Sequence, residues 1–153
     1  MVDPRALPEA LAHEAVGVYF TVCIDGVGGL FDLGTFISCE GLSIEVQIDT
    51  RAEGGNNEFA WKVPGRVTYS NITLKRPIGL DTRKVAEWFQ SFATDATPTT
   101  GRIAALTPRG YELIAWNLIG VIPARWQGPT FTADSISIAT ETLELAHNGF
   151  VVE

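Results

Sequence analysis

The sequence predicts a mainly β domain, an α+β chain built as a β-barrel or sandwich with one flanking helix. Three observations predict it. Runs of β-branched and aromatic residues with a period of two recur along the chain. Only one segment carries a strong helical period. No repeat, low-complexity tract or linker divides the 153 residues, a length that suits one domain. Residues 1–16 read as an N-terminal arm, because Pro4 and Pro8 interrupt any longer helix. Residues 17–153 read as the β domain.

The first strand is "VYFTVCI" at 18–24, closed by the turn "DGVGG". "LSIEVQID" alternates strictly, with Leu42, Ile44, Val46 and Ile48 on one side and Ser43, Glu45, Gln47 and Asp49 on the other. That is the pattern of a half-buried strand, and the apolar side is expected to face the core. "RAEGGNNE" at 51–58 is a polar, glycine-rich loop. Phe59, Trp61 and Val63 then alternate with Ala60 and Lys62, so the two runs form a long hairpin. Pro64-Gly65 is expected to break the line. "VPGRVTYSNITLKRP" at 63–77 reads as a strand whose apolar residues change sides: Val67 and Tyr69 share one face, Ile72 and Leu74 the other.

The helix is marked by Val85, Trp88, Phe89 and Phe92, a single stripe at i, i+3, i+4 and i+7. Asp81 is its expected N-cap, Leu80 is placed to staple onto Val85, and Pro98 bounds the far end. "YELIAWNLIGVI" at 111–122 is apolar on both faces, as in a strand with a partner on each side. In "ADSISIATETLELAH", Ile136 and Ile138 lie in one phase and Leu143 and Leu145 in the other. A β-bulge or a strand that changes surface would produce the switch.

Charge is unevenly placed within a net −7. Residues 1–50 carry eight acids and one arginine, whereas residues 51–100 carry seven bases and five acids. One reading is an ordinary solvated surface. The sharper one is a bipolar subunit whose acidic part meets the basic part of a neighbour, a heterologous contact that builds rings or filaments. The acidic balance argues against non-specific nucleic-acid binding. No apolar run reaches about 18 residues, so no membrane span is expected. The first residues lack the basic and apolar regions of a secretory signal. Cys23 and Cys39 read as buried free thiols of a reducing compartment, with a disulfide as the alternative.

Catalytic chemistry finds no support. His13 and His147 have no second ligand at metal spacing, and two scattered cysteines make no zinc site. There is no nucleophile elbow, and "GVGG" at 26–29 lacks the lysine and helix of a phosphate loop. The expectation is no enzyme, no metal and no cofactor. Trp61, Trp88 and Trp116 fit core positions. Trp126, in "PARWQGP", is flanked by polar and turn residues and reads as an interface anchor.

The block "FISCEGLSIEVQIDTRAEGGNNEFAWKVPGRVTYSNITLKRPI" resembles the tail-tube proteins of contractile injection systems and contractile-tailed phages. The matching features are Gly41-Leu42 before an alternating strand, Glu53-Gly54-Gly55 in the loop, and the stretch from Pro64 to Arg76. "EWF" at 87–89 and the closing "ETLELAHNGF" at 141–150 are similar as well. The resemblance spans roughly residues 16–150. It implies an inner-tube subunit: six copies form a ring, rings stack into a hollow tube, and each copy contributes strands to the lumen wall. The implied partners are other copies, a contractile sheath and baseplate or spike proteins, with no specific nucleic acid. The particle would be assembled in the cytoplasm.

On this reading Arg51, Glu53, Gly54, Gly55, Asn56, Asn57, Arg66, Lys75, Arg76 and Trp126 are candidates for contacts between subunits. The 51–58 loop is expected to reach the next ring. Glu45, Gln47 and Asp49 are candidates for the lumen. A tube initiator at the baseplate is the alternative within the family. Outside it, the alternative is a monomeric jelly-roll that holds a sugar or peptide at Trp126 and the Asn56-Asn57 loop.

Overall fold

The computed structural model describes residues 17–26, 29–55, 58–134 and 136–153. The 1–16 arm, with His13, and Asn56-Asn57 lie outside the described residues. Among the described residues ten strands and one helix follow in the order β1 (Tyr19–Gly26), β2 (Gly29–Phe36), β3 (Ser38–Glu40), β4 (Ile44–Arg51), β5 (Trp61–Tyr69), β6 (Ile72–Pro77), α1 (Thr82–Thr94), β7 (Thr99–Leu106), β8 (Glu112–Gln127), β9 (Thr140–Ala146) and β10 (Gly149–Val152).

The body is an antiparallel sheet of order β2-β1-β7-β8-β9-β6-β3, with β10 also on β8. The expectation of a strand with partners on both sides is met by β8. Its first half lies between β7 and β10, and its second half pairs with β9. Register shifts at Thr99/Gly101 and Pro123/Arg125 bend the ladder along this 16-residue strand. The sheet therefore folds over a core of Val22, Ile24, Leu33, Phe36, Ile72, Leu74, Ile103, Leu118, Leu143 and Leu145. β2 passes to β3 through Ile37 alone, so the chain joins the two ends of the sheet, but the ladder itself is not closed. The fold is the sandwich form of the expectation.

α1 covers this core with Val85 and Trp88, which are buried, and with half-buried Phe89. Two details of its start differ from expectation. Leu80 is 99% exposed and staples nothing. Asp81 makes no side-chain cap; its carboxylate pairs with Lys84 at 2.9 Å. The first turn is held from the body instead. Arg76 Nη2 donates to the Asp81 carbonyl at 2.9 Å, and Thr82 Oγ1 to Glu141 at 3.1 Å.

The face changes in the sequence have simpler causes than a single switching strand. The 63–77 stretch is two strands, β5 and β6, separated by Ser70-Asn71. Pro64-Gly65 lies inside β5. Ile136 and Ile138 are exposed loop residues before β9, so no bulge is needed there. Cys23 and Cys39 are free and only partly buried. Burial, and then the nearby Glu40 carboxylate, push the Cys39 thiol up to about 12.

Candidate functional site

β4 and β5 form a separate two-stranded sheet, the one part of the described chain that stands off the body. Every residue of β4 and all of β5 but Tyr69 are exposed. At about 3.4 Å per residue, eight residues give an arm about 27 Å long. The apolar side of β4, expected to face the core, is open to solvent: Ile44 is 53% exposed and Ile48 51%. Trp61, expected in the core, is 51% exposed. The alternation marks a two-faced strand; it does not say that the apolar face is covered by its own chain.

The arm is fixed at its root by the residues that carry the family resemblance. Gly41 has φ +91°, and a Cβ there would lie 2.0 Å from the Asn71 carbonyl oxygen. Only glycine allows the two ends of the hairpin to approach this closely. Ser43 Oγ and Ser70 Oγ are 2.8 Å apart, a bridge across the base. Asn71 Nδ2 donates to Glu144 Oε1 at 2.8 Å. His147 Nε2 donates to the Ser70 carbonyl at 3.0 Å, while its Nδ1 accepts from Gly149 N at 3.2 Å. Tyr69 packs edge-on against Phe150 at 5.6 Å and beside His147 at 5.7 Å. The "GL", "YSN" and "ELAHNGF" segments thus meet at one place. Sequence reasoning considered His147 only as a metal ligand. The pairing of motif segments far apart in the chain was the signal for its structural role.

The predicted contact residues separate into three groups. Arg51, Glu53, Gly54, Gly55 and Arg66 are exposed on the arm, and Lys75 is exposed on β6. Arg76 is not a surface cation. It is 4% exposed, ion-paired with Glu141, bonded to the Leu33 carbonyl, and stacked 4.2 Å from the Phe36 ring centroid. Its alternation with Lys75 along β6 turns it inward. Trp126 lies in β8, not in a turn. It packs against the core and donates its indole N–H to Glu141 Oε2 at 2.9 Å. Arg76, Trp126, Thr82 and Glu141 therefore form an internal polar hub under α1.

Glu45, Gln47 and Asp49 lie on the side of β4 opposite Ile44, Val46 and Ile48. That side is not wholly polar, because Val63 pairs with Asp49 and Trp61 with Arg51. Among the described residues no cluster of His, Cys, Asp or Glu could hold a metal ion. Among the described residues no helix is long and apolar enough to cross a membrane.

Comparison with solved structures finds similar folds. A chain in the cryo-EM structure of the anti-feeding prophage baseplate superposes with a TM-score of 0.74 at 19% identity, covering 97% of both chains. A chain in the sheath-tube complex of the extracellular contractile injection system PVC, in its extended state, gives 0.73 at 22% identity, covering 97% of this chain and 98% of that one. Hcp1 from Salmonella typhimurium gives 0.51 at 11% identity, covering 90% and 93%. A comparison with curated protein sequences finds no match. The family model of the T4-like virus tail tube protein gp19 matches residues 16–151. That match runs through the arm, its root and the whole body, and by it the chain belongs to the T4-like virus tail tube protein gp19 family.

Proposed function

We propose that the chain is a structural subunit of the inner tube of a contractile injection system, with six copies in a ring and rings stacked around a lumen. The observation that carries this reading is the arm. Seven large apolar side chains, Ile44, Val46, Ile48, Phe59, Trp61, Val63 and Val67, are each 38–54% exposed. Covering them would recover about 1 kcal/mol each, on the order of 7 kcal/mol per subunit. Association costs about 4–15 kcal/mol, so one arm roughly offsets one contact, and a closed ring of arms favours assembly strongly. The outer edges of β4 and β5 are also unpaired among the described strands, which leaves them open to strands of a neighbour.

In the tube, the 51–58 loop reaches the next ring, with Arg66 and Lys75 meeting acidic surface of adjacent copies. Glu45 and Gln47, towards the root on the polar side of β4, line the bore, where the Glu45 charge would repel anionic cargo over about 8–10 Å; the lumen candidate Asp49 pairs with Val63 and lies instead at the contact with the next ring. A sheath surrounds the tube and a baseplate starts it; assembly takes place in the cytoplasm. The likeness to a chain of a baseplate assembly supports a second reading, a tube initiator that forms one ring and does not propagate.

Negative-stain microscopy with sedimentation of the purified chain tests both. Stacked tubes without any ligand are expected. Single rings would favour the initiator. A monomer at all concentrations would refute the assembly reading and return the chain to the binding-module class.

A further inference from the structure

The register of the arm divides its apolar side chains between two faces. Near the root, Ile44 pairs with Tyr69, Val46 with Val67 and Ile48 with Pro64, so these share one face. Near the tip, Val63 pairs with Asp49 and Trp61 with Arg51, which puts Val63 and Trp61 on the other face. Phe59 packs edge-on against Trp61 at 5.2 Å. The cause is one extra residue in β5. Between the Val46–Val67 and Ile48–Pro64 pairs the ladder shifts register, with Gly65 and Arg66 opposite Gln47 alone. An extra residue reverses the side on which all later residues fall. Without it, Trp61, Val63 and Val67 would make one continuous stripe. Gly65 suits the bulge, since a Cβ there would lie 3.1 Å from the Gln47 carbonyl oxygen.

We propose that the arm is a wedge held between two different copies of the chain. A neighbour in the same ring covers the root patch, and a copy in the adjacent ring covers the tip patch. This rests on the tube reading above. One rigid surface cannot cover both patches, because they face opposite sides of a two-stranded sheet. A copy of the chain is the fitting occupant because the body carries two exposed apolar areas of its own. One is a groove of about 640 Å³ whose lining includes Leu30, Ile119 and Val151. The other is the loop with Phe131, Ile136 and Ile138, each at least 75% exposed. Each copy thus brings two patches on its arm and two apolar areas to receive them. Ring closure and ring stacking then act through one element, so loosening either side of the wedge loosens its seat on the other.

Two charge insertions separate the contacts. Val46→Glu alters the root patch and Val63→Glu the tip patch; both side chains are exposed in the subunit, so near-UV circular dichroism should match the parent chain. Sedimentation velocity and microscopy should find V63E as closed rings with at least tenfold fewer tubes, and V46E as monomers with neither rings nor tubes. Deleting Gly65 should restore a single phase and abolish stacking while the body stays folded. The same species from both charge variants, the two results interchanged, or normal tubes from the Gly65 deletion would overturn the wedge. A parent chain that forms neither rings nor tubes would overturn the tube reading itself, a result distinct from these.

Discussion

The helix α1 and the arm β4–β5 carry the same kind of sequence signal and meet opposite fates. Each has a regular apolar stripe opposite a polar one. In α1 the stripe is covered by its own chain: Val85 is 0% and Trp88 3% exposed. In the arm, Val46 is 42% and Ile48 51% exposed, and no described element of the body packs across them. Periodicity reports that a face is built to be buried. It does not report which molecule supplies the cover. On the proposed tube reading, the stripes left open in the single chain are where the assembly is made.

The largest test of this contrast is on the helix side. Trp88→Ala should destabilise the monomer by about 3–5 kcal/mol, as other large core truncations do. A loss under about 1 kcal/mol in denaturant titration would mean that the stripe of α1 is not core. A similar loss is expected when Arg76→Ala leaves the Glu141 carboxylate without its ion pair in the buried hub, about 3 kcal/mol or more. If Arg76 worked at a subunit contact instead, its loss would weaken assembly and spare the monomer. Gly41→Ala should cost about 1–3 kcal/mol from a strained positive φ. Its Cβ also meets the Asn71 carbonyl, so the arm must tilt and tube yield should fall by more than the stability change explains. Unaltered tubes from that variant would show that the root does not aim the arm.

The smallest effect on the monomer is expected from the arm itself. Trp61→Ala should change monomer stability by less than about 0.5 kcal/mol, as exposed substitutions do, while removing most of the tubes. A pH titration of the core side completes the contrast. Cys39 is raised from 9.0 to about 12, so burial favours the neutral thiol in the folded chain. Its contribution to stability is therefore fully present below pH 9 and lost as pH rises from about 9 towards 12. Slow alkylation of Cys39 at pH 8 in the native chain, and fast alkylation in denaturant, is the expected result.

Much of the fold was legible because its signals are local. The stripe of α1, the β-branched and aromatic run of β1 and the two-sided apolar run of β8 each declare their environment within a dozen residues. Three things were not. The inward turn of Arg76 depends on β6 pairing with β9, which brings Glu141 alongside from 65 positions away. Trp126 sits among Pro123, Gly128 and Pro129, which disguise the end of a long strand as a turn. The phase reversal in β5 required the pairing register, because Trp61, Val63 and Val67 have the even spacing of one face of an uninterrupted strand. The root was visible only as a resemblance. Its mechanics come from hydrogen bonds across 73 and 77 positions, the Asn71 side chain with Glu144 and the Ser70 carbonyl with His147.

The central claim is that other copies of the chain cover the two faces and outer edges of the arm. Hydrogen–deuterium exchange on dispersed subunits and on tubes tests it most directly. In dispersed subunits the outward-pointing amides of β4 and β5 should exchange quickly, and in tubes at least tenfold more slowly. β7 and β8, at the centre of the body, should be equally slow in both. Amides of β4 and β5 that exchange as fast in the tube as in the free subunit would contradict the claim.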